Sequence, residues 1–378
     1  MKAAVYIHIP FCARKCAYCD FESYAGRLDR AEEYVNAVLD EARAAKETYG
    51  SFGVPSVYIG GGTPSLLKAQ SIGKLLDGIN TLFPFDADAE ISMEANPGTV
   101  SAQGLKDIRK VGVNRLSFGA QAYQERLLSM LGRIHRWDDV ARAAEWARGA
   151  GFDNYNFDLM YALPGQTMAD FEESLAHTLA LDPAHISCYS LILEEGTPLT
   201  RRVEAGELTE PDDDAAVDMQ RLAAKLARGA GMHRYEISNY ALEGRECRHN
   251  IVYWTRGDYL GLGCAAHSLM RGRRFSNPSF DEYMCGVRHV DDEVISVESA
   301  MEETVMLETR MTRGIQLSNF EREFGCLKLS LLLEEAKALE ARGLLTLKNG
   351  FLSLTDEGLD VQNAVVLRLI SALEVKGK

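Results

Sequence analysis

The chain has 378 residues, a net charge of −14 at pH 7 and 46% hydrophobic residues, which is ordinary for a globular protein of two or three domains. The negative charge argues against nucleic acid or an anionic membrane as a partner, because phosphate binding requires a basic surface. No run of about 18 apolar residues could span a bilayer. The first residues, MKAAVYIHIPF, are broken too early by Pro10 to form a secretory signal. We therefore predict a cytoplasmic protein.

The first 200 residues alternate β-rich runs with amphipathic helical patterns. Six runs rich in Val, Ile, Tyr and Phe predict strands: AVYIHIP, SVYIGGG, EISMEANP, RLSFGAQ, NYNFDLMYALPG and HISCYSLIL. After the fifth run, Thr167 and Asp170 resemble a capping box that begins a helix. Six βα units with crossover helices predict an α/β fold over residues 1–200, with a parallel sheet curled into a full or partial (β/α)6 barrel of the TIM type.

The pattern changes after residue 200. In the extension, residues 201–295, the stretch TEPDDDAAVDMQRLAAKLARGAG predicts a long helix with acidic residues in its first turn. Residues 296–378 show the order helix, helix, helix, hairpin, helix, and the hairpin turns on Asn349-Gly350, the preferred pair for a type I′ turn. This order predicts a winged-helix-like module. Because 13 acidic residues face 10 basic ones there, we expect packing or partner contact rather than DNA binding.

Three of the eight cysteines lie in FCARKCAYCDF with the spacing C-x3-C-x2-C. Thiolates bind Zn²⁺ or iron–sulfur clusters, and structural zinc usually takes four protein ligands. The other cysteines are dispersed singly, and His8, which could complete a Cys₃His zinc site, lies in a predicted strand. A cluster with three thiolate ligands and one open iron fits this pattern better, since the open iron can bind a small molecule. The three ligands would be Cys12, Cys16 and Cys19.

This spacing after a first strand, with Tyr18 before the last cysteine, resembles the radical S-adenosylmethionine (radical SAM) superfamily. The resemblance implies a partial barrel, a 4Fe-4S cluster on the three cysteines, and S-adenosylmethionine chelated by the open iron. Electron transfer from the cluster would then cleave the sulfonium. A zinc-stabilised structural protein is the alternative that the cysteines alone leave open.

Polar residues and glycines at the ends of the predicted strands support a ligand site at the barrel mouth. GGGTP ends the second strand, where glycines let a ligand approach the backbone and Thr63 can cap the following helix. Glu94 ends the third strand, Gln121 closes the fourth, Arg133 follows it, and Asp158 lies in the fifth.

With the cysteines, these residues resemble the family of the oxygen-independent coproporphyrinogen III oxidase over essentially the whole chain. The resemblance implies that nine residues contact S-adenosylmethionine: Tyr6, Tyr18, Gly61, Gly62, Thr63, Glu94, Gln121, Arg133 and Asp158.

Two features distinguish the branches of this family. The oxidase carries one more cysteine, two positions after the last cluster cysteine, and a longer N-terminal extension. Here Phe21 stands at that position, and only eleven residues precede Cys12. Both departures favour the branch whose members are heme chaperones.

The stretch RHNIVYW resembles the H-N-x-x-Y-W signature of that heme chaperone branch. If the stretch is helical, His249 and Tyr253 share one face. His249 offers an imidazole for axial iron ligation, and Tyr253 and Trp254 offer flat apolar surfaces for a macrocycle. The alternative is a core histidine hydrogen-bonded to a carbonyl, with the aromatic residues as packing. In GLGCAAHS, Cys264 and His267 are structural, or Cys264 is a covalent heme anchor.

The resemblance therefore implies a heme chaperone with a 4Fe-4S cluster and S-adenosylmethionine. Such a protein passes heme to acceptor hemoproteins, among them membrane-associated respiratory enzymes, and could act as a homodimer. The cluster would then regulate binding or assembly rather than support multiple turnover. The alternative is an enzyme, namely a coproporphyrinogen III oxidase or dehydrogenase or another radical SAM enzyme acting on a tetrapyrrole. We predict the heme chaperone, because Phe21 stands where the oxidase carries its additional cysteine and RHNIVYW resembles the signature of the heme chaperone branch.

Overall fold

The six predicted strands form the centre of the fold, which a computed structural model describes for residues 1–374. They pair side by side in chain order and all run parallel. Their bounds are β1 (Ala4–Ile9), β2 (Val54–Gly61), β3 (Phe85–Ala95), β4 (Arg115–Gln121), β5 (Tyr155–Tyr161) and β6 (His185–Ser190). The connecting helices are α1 (Ala31–Tyr49), α2 (Ala69–Leu82), α3 (Ala102–Lys110), α4 (Glu125–Met130), α5 (Trp137–Gly149) and α6 (Met168–Leu179). The predicted α/β fold with parallel βα units is confirmed.

Alternation along these strands separates an apolar face from a polar one. On β2, Val57 and Ile59 are buried in the hydrophobic core, whereas Ser56 and Tyr58 contact polar side chains. Burying each such aliphatic side chain contributes about 1.5–3 kcal/mol to stability. The buried polar side chains that alternate with apolar ones on β3 to β6 are Glu90, Ser92, Arg115, Ser117, Gln121, Asn156, His185 and Ser187. The barrel interior is therefore a hydrogen-bonded polar network rather than an apolar core.

Local sequence signals account for the helices that surround the sheet. Helix α6 begins at the predicted capping box: the Asp170 N–H donates to the Thr167 hydroxyl (3.2 Å), and the Thr167 N–H donates to the Asp170 carboxylate (2.7 Å). The hydrophobic side chains that α1 buries keep helical spacing and are Tyr34, Val35, Val38, Leu39, Ala42 and Ala45.

The extension adds a strand that the sequence did not predict. Strand β9 (Tyr259–Leu262) lies parallel to β1, and β10 (His267–Met270) and β11 (Arg273–Ser276) continue the sheet in antiparallel pairs. In GLGCAAHS, Gly261 and Leu262 end β9, and the turn to β10 follows them. A Cβ on Gly261 would lie 2.1 Å from the His267 carbonyl oxygen, so glycine permits the close approach of β9 and β10.

Three further short strands complete the main sheet: β7 (His233–Arg234), β8 (Asn239–Ala241) and β12 (Val290–Val294). The described residues form a sheet of twelve strands in the order β12-β11-β10-β9-β1-β2-β3-β4-β5-β6-β8-β7. The helices of this region are α7 (Pro198–Glu204), α8 (Asp213–Gly229), α9 (Arg248–Trp254) and α10 (Phe280–Met284). Helix α8 is the predicted long helix, and Asp212 caps it by accepting from the Ala215 N–H (2.8 Å).

The chain divides into two compact units. Among the described residues, the barrel unit comprises residues 1–233, 240–249 and 258–293, and the C-terminal unit comprises residues 234–239, 250–257 and 294–374. Much of the predicted extension thus belongs to the barrel unit. Within residues 1–374, no helix combines the length and apolar character needed to cross a membrane.

The C-terminal unit contains the predicted helices and hairpin, with a short strand after its first helix and a short helix before its last. Its elements are α11 (Val297–Glu308), β13 (Ile315–Gln316), α12 (Leu317–Phe324), α13 (Cys326–Glu340), β14 (Leu345–Lys348), β15 (Phe351–Leu354), α14 (Asp356–Asp360) and α15 (Gln362–Leu373). Asn349 and Gly350 have φ values of 52° and 81° at the turn between β14 and β15. Two positive φ values are what a type I′ turn requires, so the predicted hairpin is confirmed.

Candidate functional site

A cavity of about 400 Å³ opens at the carboxyl ends of β2 to β6, the edge where parallel α/β sheets bind ligands. All three clustered cysteines line it. Eight of the nine predicted cofactor contacts line it as well: Tyr18, Gly61, Gly62, Thr63, Glu94, Gln121, Arg133 and Asp158. The structure therefore brings into one cavity residues that are dispersed over the first half of the chain.

Backbone hydrogen bonds hold the cysteine loop against the cavity. The Ala17 N–H donates to the Leu131 carbonyl (2.9 Å), and the Ala17 carbonyl accepts from the Leu199 N–H (2.8 Å). Lys15 Nζ donates to the Phe21 carbonyl at the far end of the loop (2.9 Å). The loop is thus anchored on both sides, which keeps its three thiols at the cavity wall.

His8 is engaged elsewhere and does not complete a zinc site. Its Nε2 lies 2.7 Å from the Glu22 carbonyl oxygen, its Nδ1 lies 3.0 Å from the Tyr6 hydroxyl, and burial lowers its pKa. Tyr6 is the predicted contact that is not among the described residues lining the cavity. Its contact with a cofactor stays a prediction.

The loop after β2 approaches its neighbours closely. Gly61 has φ of 109°, and a Cβ there would lie 2.5 Å from the His8 ring, so only glycine fits. Thr63 was expected to cap a helix, but it makes no side-chain capping bond to the short turn that follows. Instead its hydroxyl donates to Cys12 Sγ (3.6 Å), which places Thr63 beside a cysteine of the cluster motif.

Two half-buried carboxyl groups face this cavity. Glu94 accepts hydrogen bonds from the Tyr58 hydroxyl (3.0 Å) and the Gly61 N–H (3.0 Å). Burial, and secondarily the nearby charge of Asp158, raises the pKa of Glu94 to about 7. Burial also raises the pKa of Asp158, although the Ser117 hydroxyl donates to it (2.9 Å). These groups suit a ligand that brings a positive charge or hydroxyl donors into the cavity.

Arg133 supplies positive charge on another wall. Its guanidinium donates to the Gly119 carbonyl (2.7 Å) and to Cys16 Sγ (3.4 Å), while its Nε is buried without a hydrogen-bond partner among residues 1–374. Gln121 has φ of 66° next to an irregularity in the pairing of β4 with β5, and this local strain directs it to the cavity edge. An unpaired buried donor fits an anionic group such as a carboxylate.

A thiolate at Cys19 requires a cation that stabilises its charge. Burial raises the pKa of Cys19 to about 11, so the thiol stays protonated near neutral pH unless a cation stabilises its anion. Iron provides that charge, and a coordinating thiol is deprotonated on binding. The donor set of three cysteines, two carboxyl groups and one arginine therefore fits a cluster together with a ligand of mixed charge.

Sequence reasoning missed several residues of the cavity wall. Strand alternation could have found three of them, since side chains two positions apart share a face. Tyr58 lies two positions before Gly60, and Met160 lies two positions after Asp158. The missed lining residues are Arg14, Ser23, Tyr58, Ala95, Asn96, Ser117, Gly119, Met160 and Tyr189.

The RHNIVYW stretch forms the helix α9. The condition under which His249 and Tyr253 would share one face is therefore met. His249 is 0% exposed, its Nδ1 lies 3.1 Å from the Ser56 hydroxyl, and burial lowers its pKa to about 3. Its imidazole therefore lies inside the barrel unit, with Nδ1 within hydrogen-bond distance of a hydroxyl. Axial ligation of heme by His249 would require this helix to open, so the ligand role stays a prediction.

The other residues considered for heme have different environments. Trp254 is half-buried in the C-terminal unit, where the Arg310 guanidinium carbon lies 4.4 Å from its ring centroid. Tyr253 is also half-buried. Cys264 is fully buried, Tyr34 donates to its Sγ (3.5 Å), and burial raises its pKa to about 12. A thiol in this environment is unreactive, which argues against a covalent heme anchor at Cys264.

The parallel βα sheet and the three-cysteine cavity at its carboxyl edge define the class: this is a radical SAM protein. The family model described as the radical SAM superfamily matches residues 6–177, and the one described as the HemN C-terminal domain matches residues 295–361. Membership of this superfamily implies a 4Fe-4S cluster and S-adenosylmethionine.

Curated relatives narrow the assignment. Heme chaperone HemW of Bacillus subtilis is 36% identical over 97% of this chain and 98% of its own length. Heme chaperone HemW of Escherichia coli is 42% identical over 70% of this chain and 69% of its own length, and that of Mycobacterium tuberculosis H37Rv is 35% identical over 97% and 94%. The chain belongs to the family of these heme chaperone HemW proteins.

A solved structure with a similar fold carries a different activity. Coproporphyrinogen III oxidase (HemN) from Escherichia coli, described as a radical SAM enzyme, superposes with a TM-score of 0.84 over 99% of this chain and 90% of its own. The two sequences are 22% identical. At this identity the likeness establishes the shared fold and no more.

Proposed function

We propose that the protein is a heme chaperone that binds heme and delivers it to acceptor hemoproteins, while its barrel cavity holds a 4Fe-4S cluster and S-adenosylmethionine. The observation that carries the proposal is the 36% identity to the heme chaperone HemW of Bacillus subtilis over nearly the full length of both chains. Respiratory enzymes at membranes are the acceptors that the family resemblance implies. A cytoplasmic location and a homodimer remain predictions.

Different residues of the cavity would bind the cluster and S-adenosylmethionine. Cys12, Cys16 and Cys19 would ligate three irons and leave one iron for S-adenosylmethionine. The cluster, when bound, would supply the electron for reductive cleavage of the sulfonium. Glu94 and Asp158 would accept hydrogen bonds from its amino and hydroxyl groups. The remaining contacts that we propose are Tyr6, Tyr18, Gly61, Gly62, Thr63, Gln121 and Arg133, the last with its unpaired Nε toward an anionic group.

Phe21 supports the chaperone over the oxidase. It lines the cavity and is 59% exposed, at the position where the oxidase would place its additional cysteine. A phenylalanine offers a flat apolar surface but no thiol for ligation or hydrogen transfer. Coproporphyrinogen oxidation is the second candidate function, because the fold is shared with the oxidase.

The cluster can be tested with two cysteine variants. After anaerobic reconstitution with iron and sulfide, we expect the wild-type protein to be brown, and Cys19→Ala to lose most of its iron and its absorbance in the visible range. Cys285→Ala is the matched control, because Cys285 is an exposed free cysteine outside the cavity. A colourless wild-type protein that binds one zinc would contradict the proposed cluster.

Assays on one reconstituted preparation can distinguish heme delivery from oxidation of coproporphyrinogen III. We expect heme titration to saturate, heme to pass to an apo-hemoprotein, and coproporphyrinogen III to remain unconsumed in the presence of S-adenosylmethionine and reductant. Cys12→Ala serves as the background for the oxidation assay. Formation of protoporphyrinogen above that background would show that the protein is an oxidase and would contradict the proposed chaperone function.

A further inference from the structure

The histidine of the H-N-x-x-Y-W motif lies inside the barrel unit, where a chain of contacts leads from its imidazole to the cavity. We propose that His249 is a positioning residue for the S-adenosylmethionine site: by packing against Tyr58 it fixes the Glu94 carboxylate at the cavity wall. This inference rests on the proposed cofactor site and assigns the motif histidine a role other than heme ligation.

The first step is the anchoring of His249 itself. Glu90, a buried carboxylate on β3, accepts hydrogen bonds from the N–H groups of Arg248 (3.0 Å) and His249 (3.3 Å) at the beginning of α9. The Ser92 hydroxyl donates to the same carboxylate (3.1 Å). Because unpaired N–H groups at a helix start favour a negative partner, Glu90 holds this end of α9 in the barrel.

The second step is the contact between the imidazole and Tyr58. The His249 ring is oriented by the Ser56 hydroxyl at Nδ1 (3.1 Å), and its centroid lies 5.3 Å from that of Tyr58 at an angle of 34°. On β1, Tyr6 stacks on Tyr58 with centroids 6.3 Å apart. Tyr58 is therefore packed against two rings, which restricts the position of its hydroxyl.

The third step joins Tyr58 to the cavity. Its hydroxyl donates to Glu94 Oε1 (3.0 Å), and the Gly61 N–H donates to Oε2 (3.0 Å), so both carboxylate oxygens are held. A Cβ on Gly60 would lie 2.9 Å from the Tyr58 ring and 3.0 Å from Glu94 Oε1. Glycine at this position leaves room for the pair, and the pair fixes the carboxylate that lines the cavity.

The test measures S-adenosylmethionine binding by equilibrium dialysis on anaerobically reconstituted protein. We expect His249→Gln and Tyr58→Phe each to weaken binding about tenfold, because each frees or removes one hydrogen bond to the half-buried Glu94 carboxylate. The double variant should bind S-adenosylmethionine no more than about tenfold more weakly than wild type, because both substitutions break the same chain of contacts. A structural role without connection to Glu94 would not produce this non-additivity.

Two controls accompany these variants. Tyr155→Phe removes the hydroxyl of another buried tyrosine, one that donates to the Leu181 and Asp182 carbonyls away from the cavity, and should bind S-adenosylmethionine like wild type. Heme affinity of His249→Gln should stay within about twofold of wild type. If His249→Gln does not fold, Ser56→Ala tests the inference instead, because it removes the hydroxyl that orients the imidazole. We expect this variant to show a severalfold loss of S-adenosylmethionine affinity.

The outcomes separate this inference from the proposed function. If the wild-type protein does not bind S-adenosylmethionine, the proposed site fails and the inference fails with it. If wild type binds and His249→Gln binds equally well, only the inference fails. Loss of heme affinity with unchanged S-adenosylmethionine affinity would also overturn it, and would return His249 to the role of heme ligand.

Discussion

At the scale of single residues, the cavity depends on buried groups whose charge is costly in the absence of a partner. Glu94 is the clearest case, because burial and Asp158 together raise its pKa to about 7 from an ordinary value of 4.5. A cationic or hydroxyl-bearing ligand would offset the free-energy cost of ionising Glu94. Without a ligand, this cost should appear in the pH dependence of the free energy of unfolding.

The protein without cluster and ligand should lose stability as pH rises through 7. The folded pKa of Glu94 lies above its unfolded value, so the folded protein retains a proton between pH 4.5 and 7 that the unfolded chain releases. The stabilisation from this proton is complete below pH 4.5 and is lost as pH rises through about 7, with a size of roughly 3 kcal/mol at most.

Glu94→Gln should flatten this dependence. The measurement is urea unfolding from pH 4.5 to 8, with the difference in free energy of unfolding between wild type and variant plotted against pH. Glu298→Gln, an exposed acid in the first turn of α11, should leave the wild-type slope unchanged. Parallel curves for wild type and Glu94→Gln would contradict the assignment.

At the scale of elements, close backbone approaches decide which glycines are required. In the C-terminal unit, Gly314 and Gly350 both have positive φ, 71° and 81°, at turns next to β13 and β15. They differ in surroundings: a Cβ on Gly314 would lie 1.9 Å from the Leu352 carbonyl oxygen, whereas a Cβ on Gly350 would meet nothing within 4 Å. The same substitution therefore tests strain alone at one turn and strain with a clash at the other.

Gly350→Ala should cost about 1 kcal/mol, the usual penalty for a side chain in the left-handed region. Gly314→Ala should cost roughly 3 kcal/mol or more, because β15 would have to move away from the added methyl group. Chemical denaturation of the two full-length variants measures the difference. Equal destabilisation by the two substitutions would show that the close approach at Gly314 is absent in solution.

At the scale of the whole molecule, cofactor binding should be linked to folding of the barrel unit. The cavity is built from the cysteine loop and the ends of β2 to β6, which come together only when the sheet forms. A ligand that binds only the folded form at about 100 times its Kd adds about 2.7 kcal/mol to the free energy of unfolding.

S-adenosylmethionine should therefore raise the midpoint of thermal unfolding of the reconstituted protein. Methionine, which lacks the adenosine and the sulfonium, should give a smaller shift at equal concentration. Asp158→Asn should reduce the shift, because the variant removes an accepting carboxylate from the cavity wall. An unchanged midpoint at saturating cofactor would count against binding in this cavity.

Much of this architecture follows from local patterns. The six strands, the capping box at Thr167 and the hairpin at Asn349-Gly350 are readable because alternation, capping and turn chemistry act over a few residues. The cysteine spacing likewise identified the superfamily, since ligands contributed by one short loop stay together in any fold. In the structure all three cysteines line the cavity at the carboxyl edge of the sheet.

Long-range packing decided the rest. Strand β9 pairs with β1 across more than half of the chain, and Ser56 meets His249 although 193 positions separate them. No local pattern encodes either contact. The motif RHNIVYW shows a helical face with a histidine, but whether that face meets solvent, heme or a strand depends on what the folded sheet brings opposite it. In this protein the sheet brings Ser56 and Tyr58, because burying a polar side chain is stable only where other polar groups are already in place.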